Sequence, residues 1–382
     1  MNFEPTEEQV RIRDAVRDFA ESEIAPGVAR REKEAEFPRE ILAKLAQMGI
    51  MGMMVPEEYG GAGVDALSYI LAVEELARVC ASTAVIVSVN NSVACYPIWK
   101  FGTEEQKRTI LVELATGRAL GAYALTEPQS GSDAANQKTR AVRDGDHYVL
   151  EGAKAWITNA GEAKWYVVMA MTEPALGTRG ITAFLVSAED DGFRVGAPEE
   201  KMGLRASKTA GISLEGVRVP LSRRLGEEGQ GFTIAMTTLD HSRIGIAAQG
   251  IGIARACYEA SVAYAQTRET FGRKLAEHEA IGFQIADMKL KIEAAKWLTY
   301  RAALHSEKPE LRHSKESSMA KVYATEAANA IAAQAIQVFG GYGYSREYPV
   351  ERYYRDARVT TIYEGTSEIQ RIVISKNLLA GR

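Results

Sequence analysis

The sequence predicts an α+β fold in three regions: an N-terminal α-helical domain, a central β domain and a C-terminal bundle of long helices. Three observations carry this. Residues up to about 120 show helical apolar spacing between capping signals. From about Leu120 to Pro220, short alternating or β-branched runs are separated by turn signals. From Gly231 onward helical periodicity returns in long segments rich in alanine and poor in proline. The regions expected are 1–119, 120–228 and 229–382.

The N-terminal region reads element by element. Thr6 and Gln9 have capping-box spacing, and Ile12, Ala15, Val16 and Phe19 form one apolar face. Pro38 opens a second helix and Gly49 sits where it should stop. Gly60-Gly61-Ala62-Gly63 is a loop, after which Asp65 can cap a helix carrying Tyr69, Ile70, Val73 and Leu76. An apolar stretch from Thr83 to Val89 leads into Asn90-Asn91-Ser92. Thr103 with Gln106 is another capping box, and Gly117 ends that helix.

In the middle region Asp144-Gly145 lies between two β-branched runs, a hairpin signal. Trp165 to Met171, Ile181 to Val186 and Gly211 to Val219 also read as strands. Four long helices follow, at about Phe232 to Arg268, Ala280 to Ser306, Lys315 to Phe339 and Ser367 to Leu379.

Composition excludes several functions. The chain is 382 residues, 46% hydrophobic and 25% charged, with a formal net charge of -4. That lacks the basic excess of a nucleic-acid surface. No apolar run is long enough to span a bilayer. Met-Asn-Phe-Glu-Pro-Thr-Glu-Glu shows no signal peptide, so a cytoplasmic location is expected. The three cysteines (Cys80, Cys95, Cys257) are far apart, and the five histidines show no metal spacing, so no metal is expected. There is no P-loop, no strict GxGxxG and no GxSxG elbow.

The chemistry-bearing stretch is Thr360 to Arg371. A β-branched run turns at a glycine and becomes a helix. Ser367 and Gln370 have capping-box spacing, and Ile369, Ile372, Val373 and Lys376 give that helix one face. Glu364 is left outside, at a chain reversal between apolar segments. A carboxylate against apolar surface has a raised pKa, which suits a general base near neutral pH. The plain alternative is an acid that only complements the helix dipole. Tyr123 to Asp133 leaves a strand for a loop of glycine and hydroxyl residues, which suits an anion such as a pyrophosphate.

Four segments together resemble the acyl-CoA dehydrogenase family over nearly the whole chain. They are Tyr363-Glu364-Gly365-Thr366 with Ser367 to Arg371; Tyr123 to Pro128 with Gly131-Ser132-Asp133; Trp156-Ile157-Thr158-Asn159; and Gln337 to Tyr344. Val89 to Ser92 and Lys100-Phe101-Gly102 look closest to short-chain, butyryl-type members. The resemblance implies a central β-barrel-like domain, a C-terminal four-helix bundle and FAD as cofactor. It implies dehydrogenation of a short- to medium-chain acyl-CoA thioester to the trans-2-enoyl-CoA, as in fatty acid β-oxidation. Glu364 is then the catalytic base, and flavin N5 takes the hydride. The Glu364 backbone N–H and a flavin hydroxyl would hold the thioester oxygen.

Carried over residue by residue, Tyr123, Leu125, Thr126, Ser132, Trp156, Thr158, Thr366 and Glu368 would contact the cofactor. Ser132, Asp240, Arg243 and Gly365 would contact the acyl-CoA, although Asp240 and Arg243 could equally be a surface ion pair. Arg268, Phe271, Gln337 and Gly341 would reach a neighbouring subunit's FAD, with Arg268 suited to a diphosphate. Glu279 stands where family members often carry Gln, and no flavin contact is expected of it. Where isovaleryl-type and long-chain relatives place the base, this chain has Ser242, which favours a straight-chain substrate. The resemblance further implies a homotetramer, a dimer of dimers, that passes electrons to an electron-transfer flavoprotein. The alternatives are an acyl-CoA oxidase and a flavin-binding protein without turnover.

Overall fold

The computed structural model of the protein describes residues 4–308 and 312–380. Met1 to Phe3, where the N-terminal reading began, lie outside the described residues.

Helix α1 (Glu7–Phe19) starts at the expected capping box. Thr6 Oγ1 accepts the Gln9 N–H at 3.3 Å, and Gln9 Oε1 accepts the Thr6 N–H at 2.8 Å. Val16 is buried, but Ala15 faces outward and is not part of the inner face. Helix α2 (Val28–Glu34) was not foreseen, because its charged sequence has no apolar period. It is docked through Arg31, whose buried Nη2 donates to the Ile24 carbonyl at 2.5 Å. Helix α3 (Arg39–Gln47) ends at Gly49, in the left-handed region. Asp65 caps α4 (Ala66–Val79) by accepting the Ser68 N–H at 2.6 Å.

Helix α5 (Ala81–Val89) continues through a π-turn (Asn90–Cys95) into α6 (Tyr96–Phe101). The buried amides of that π-turn are stitches. Asn90 donates to the Met51 and Leu114 carbonyls and accepts the Gly121 N–H at 2.9 Å. Asn91 accepts the Met53 N–H at 2.7 Å. They tie the helical region to the first strand. The Thr103 box opens α7 (Glu104–Gln106), which runs through a second π-turn into α8 (Val112–Ala115).

The central region has eight strands: β1 (Gly121–Ala124), β2 (Arg140–Asp144), β3 (His147–Thr158), β4 (Trp165–Met171), β5 (Ile181–Ser187), β6 (Phe193–Pro198), β7 (Thr209–Pro220) and β8 (Arg224–Leu225). They pair in the order β6-β7-β3-β2-β4-β5-β8, with β1 parallel to β4. Strand β6 was not foreseen, because only Phe193 is buried and the rest of it is exposed. Ala124, Ala141, Leu150, Tyr166, Phe184, Phe193 and Ile212, from seven different strands, share one buried cluster. A flat sheet could not bring them together, so the sheet is rolled into a barrel-like form. The alternate residues of β4 and β5, Val167, Met169, Ile181 and Leu185, pack instead with residues of α6, α8 and the next helix.

That helix is α9 (Gly231–Thr267), the longest element. After a two-strand hairpin (β9, Glu269–Thr270; β10, Arg273–Lys274) come α10 (Glu279–Ser306), α11 (Ser314–Phe339), α12 (Val350–Arg358) and α13 (Ser367–Leu379). Four of these were foreseen nearly to the residue. The charged α12 was not, for the same reason as α2. The start of α13 differs in detail. Its cap is Thr366, whose hydroxyl accepts the Ile369 N–H at 3.3 Å, rather than Ser367. Gln370 is thereby released from a capping box. On α13, Ser367 and Gln370 are buried, whereas Ile372 and Lys376 are exposed. Among the described residues no helix is long and apolar enough to cross a membrane.

Helix α9 crosses α4 closely at Gly252. A Cβ there would lie 2.4 Å from the Glu74 carbonyl oxygen and 2.9 Å from the Arg78 nitrogen. Backbone cannot give way as a side-chain tip can. Gly252→Ala should therefore destabilise the protein by about 1–3 kcal/mol, read as a lower Tm in thermal unfolding. Gly282→Ala, where a Cβ meets nothing within 4 Å, should not lower it.

Candidate active site

Glu364 lies in the turn between a 3₁₀ segment (Val359–Thr361) and α13. Glu364 has φ 51° and Gly365 φ 93°, two consecutive left-handed residues. A side chain costs energy in that region, so the turn persists because its surroundings hold it. Gln370 Nε2 donates to the Gly365 carbonyl at 2.9 Å and the Glu364 carbonyl at 3.2 Å. Lys321 Nζ, from α11, donates to the Gly365 carbonyl at 2.7 Å. Arg243 Nε, from α9, approaches the Glu364 carbonyl at 3.5 Å. A Cβ at Gly365 would sit 2.6 Å from Gln370 Nε2, so glycine serves both the φ and the contact.

The carboxylate itself is poised. Its Oε2 is buried with no hydrogen-bond partner among the described residues. Burial pushes the Glu364 pKa up, against the opposing pull of the Ser242 hydroxyl and of the Lys321 and Arg243 cations. Three phenols feel its charge: Tyr69 of α4, Tyr123 of β1 and Tyr363. Each is pushed up first by burial and then by Glu364. Tyr363 donates to Gln249, and Tyr69 shares a 2.9 Å hydrogen bond with Ser88. The Tyr123 Oη is buried without a partner among the described residues.

Asp240 and Arg243 are not a surface pair. The Arg243 side chain is buried, with Nη1 2.5 Å from Asp240 Oδ1, and Asp240 also accepts from Ser314. Burial lowers the Arg243 pKa, and Asp240 and then Glu364 hold it up. Arg243 and Gly365 thus stand beside Glu364, and Asp240 is joined to them through Arg243.

Strand β1 brings the next residues. Tyr123 leads to Leu125 and Thr126, and the Thr126 carbonyl accepts the Ala155 N–H at 2.9 Å. This joins the first expected cofactor segment to the second. The β3–β7 register shifts between Lys154 and Ile157, and Trp156 sits in that irregularity at φ 61°. Its side chain is 61% exposed, unlike a core tryptophan. Thr158 follows, half-buried. Ser132 is exposed in the loop after Thr126, and Glu368 is exposed in the first turn of α13.

Beneath this cradle is an ion pair that the sequence reading passed over. Lys154 Nζ lies 2.8 Å from Glu127 Oε1 and 3.2 Å from the Leu125 carbonyl, and both charged groups are buried. Glu127 also accepts the Lys138 N–H at 2.7 Å and the Thr139 N–H at 3.1 Å. Burial disfavours both charges and draws Lys154 down to about 8. The charge of Lys154 and the surrounding donors overcome burial at Glu127 and hold it at about 2. Glu127 stands within the Tyr123 to Pro128 segment, but a lysine 27 positions along has no sequence signal as its partner.

The remaining expected contacts lie elsewhere. Arg268 and Gly341 line a groove of about 570 Å³ with Tyr264, Thr270, Phe339 and Tyr342. The Arg268 guanidinium stands 5.5 Å from the centre of the Tyr342 ring. Gln337 is exposed on α11 just before the groove. Phe271, next to Thr270, is 95% exposed at φ 52°. Glu279 is exposed at the start of α10. Arg243 and Arg268 bracket 25 residues of helical path along α9, about 37 Å at 1.5 Å per residue. Among the described residues no cluster of three or more His, Cys, Asp or Glu side chains could hold a metal.

Three family models match this chain. The acyl-CoA dehydrogenase N-terminal domain covers residues 6–118, the middle domain 122–217 and the C-terminal domain 229–379. The chain belongs to the acyl-CoA dehydrogenase family. The mitochondrial short-chain specific acyl-CoA dehydrogenase of Bos taurus is 51% identical, over 96% of this chain and 89% of that protein. The solved structure of butyryl-CoA dehydrogenase from Megasphaera elsdenii superposes with a TM-score of 0.97 at 45% identity, over 99% of this chain and 100% of that one. A solved chain from work on the electron transferring flavoprotein of Acidaminococcus fermentans has a TM-score of 0.98 at 47% identity, over 99% of this chain and 100% of that one.

Removing one member of the Lys154–Glu127 pair leaves the other buried and uncompensated. Lys154→Met should cost about 3–5 kcal/mol of stability and lower the flavin content of the purified protein. The double variant Lys154→Met/Glu127→Gln should recover much of the Tm, which thermal unfolding would check.

Proposed function

We propose that this acyl-CoA dehydrogenase acts on short-chain acyl-CoA thioesters, with Glu364 as the base, and passes its electrons to an electron-transfer flavoprotein. The observation that carries the assignment of the base is the buried, unpartnered Glu364 carboxylate oxygen beside Arg243 and Tyr123. The residues present fit FAD. An exposed indole at a strained bulge and a hydroxyl-bearing loop are joined where the Thr126 carbonyl accepts the Ala155 N–H, and Tyr123, just before that loop, has a buried unpartnered phenol that feels the Glu364 charge. When bound, FAD supplies the hydride acceptor at its N5.

The chain's own residues do the rest. Tyr123, Leu125, Thr126, Ser132, Trp156 and Thr158 would hold the flavin, together with Thr366 and Glu368 at the start of α13. Asp240 and Arg243 bind the thioester side, with Ser132 and Gly365. The Glu364 carboxylate takes a proton from the substrate α-carbon, while its backbone N–H steadies the thioester oxygen. The raised pKa brings the carboxylate toward the range where proton transfer at neutral pH is efficient. Ser242 lies on α9 beside Glu364, so the two positions from which the family draws its base face one space here. That supports a straight-chain substrate.

The separation along α9 supports a flavin shared between subunits, with Arg268, Phe271, Gln337 and Gly341 supplied by a second copy. Exposed Phe283 and Leu290 on α10, and Leu378 and Leu379 on α13, give further copies an apolar surface and support a homotetramer. The three cysteines are free and buried, which suits the reducing cytoplasm.

Anaerobic addition of butyryl-CoA should bleach the flavin band at lower concentration than octanoyl-CoA or isovaleryl-CoA; bleaching by none of them would sink the assignment. Under air, rapid peroxide release would indicate an oxidase. Glu364→Gln should keep its FAD and slow reduction by about 10²–10⁴-fold, the usual contribution of a base. The ionised form of Glu364 is the active one and its pKa is raised. Reduction should therefore fall as pH falls through that raised pKa, and be retained above it, in a stopped-flow pH series. Light scattering should give a mass near four chains.

A further inference from the structure

Lys321 has no place in the function as assigned so far. It stands on α11 and its side chain is fully buried beneath the base turn. A lysine is seldom buried without a task, because its charge loses hydration and its stem loses rotamer freedom. Its Nζ donates to the Gly365 carbonyl at 2.7 Å, the residue directly after the base. Gln370 already donates to that carbonyl, so the turn did not need a charged donor for its hydrogen bonding alone.

We propose that Lys321 is a positioning residue for the base: its buried ammonium pins the Glu364–Gly365 turn from below and supplies the cation that keeps Glu364 ionised in an apolar pocket. The inference rests on the reading of Glu364 as the base. The charged and titratable groups around the pair come from each packed element. Arg243 and the Ser242 hydroxyl face it from α9, Glu326 from α11 and Glu368 from α13. Tyr69, Tyr123 and Tyr363 stand on the Glu364 side. Arg243 is committed to Asp240 at 2.5 Å, whereas Glu364 is the carboxylate that acts most strongly on Lys321. Burial draws the Lys321 pKa down to about 7, and Glu364 opposes that fall. The ammonium and the carboxylate therefore sustain each other's charge.

The test separates proton removal from hydride transfer. Acetyl-CoA has α-hydrogens but no β-carbon, so base action on it is read as deuterium exchange into the methyl group in D2O, followed by NMR. The Glu364 carboxylate accepts a proton from the methyl, exchanges it with solvent and returns a deuteron to the same carbon. Wild type, Lys321→Met, Lys321→Gln, Lys321→Arg and Glu364→Gln are compared as flavin-loaded proteins across pD. The rate of flavin reduction by butyryl-CoA is measured across the same range. Lys321→Met and Lys321→Gln should exchange more slowly, with the rising limb of both profiles moved upward by about one pH unit or more, since loss of a nearby cation disfavours the carboxylate. Lys321→Arg should bring the limb back toward wild type.

Lys321→Gln retains a donor for the Gly365 carbonyl, so wild-type profiles in that variant would overturn the proposal. So would loss of fold in all three Lys321 variants, which would make the residue structural only. If Glu364→Gln keeps exchange and reduction, the base assignment fails instead, whatever the lysine variants do.

Discussion

Glu364 sits in a left-handed turn whose two carbonyls are held by Arg243, Lys321 and Gln370. The constraint is electrostatic. A carboxylate removed from water favours its protonated form, and buried cations beside it pull the other way. The balance leaves a raised pKa with an unpartnered oxygen, the state a general base needs before substrate arrives. The rest of the C-terminal region serves this balance. Helix α9 supplies Ser242, Arg243 and Gln249, α11 supplies Lys321, and α13 supplies Gln370. Helices α9 and α11 pack closely at Gly250, where a Cβ would lie 3.2 Å from the Ala324 carbonyl oxygen, and this fixes where those groups stand.

The β region solves a second version of the same problem. Lys154 and Glu127 are buried together under the loop that follows β1, and Glu127 collects two backbone N–H groups besides the ammonium. Such a pair contributes little net stability, because desolvation offsets the attraction. It does define geometry. It ties the loop after β1 to β3 just before Trp156, so the exposed indole and the hydroxyl loop keep one relative position. Trp156, Phe271 and Glu364 are also three of the non-glycine residues with positive φ. Backbone strain of this kind concentrates where a binding or catalytic surface is held in place.

Much of this was legible in the order of residues. The capping boxes at Thr6 and Thr103, the Asp65 cap and the long helices α9, α10 and α11 follow local rules that tertiary contacts did not override. Elements without an apolar period escaped: α2 and α12 are charged helices with three buried residues each, and β6 has one buried residue. The cap of α13 slipped by one position because Gln370 serves the Glu364–Gly365 turn instead of the helix end. On that helix, exposed Ile372 marks a face the sequence had assigned to the core.

The sequence by itself determined the kind of protein: a three-region α–β–α chain with four family segments and an acid at a glycine turn. Those are properties of neighbours within a few positions, where propensity, capping and φ preference act. Only the tertiary structure decided which distant groups surround that acid. Lys321 lies 43 positions before Glu364, and Arg243 lies 121 before it. Their charges meet because three helices pack side by side, and no local signal records that meeting. The same holds for the distance along α9, which parts the Arg268 groove at its end from Arg243, the residue that meets the Glu364 turn. Burial sets the electrostatics of each site, and burial exists only once the chain is packed.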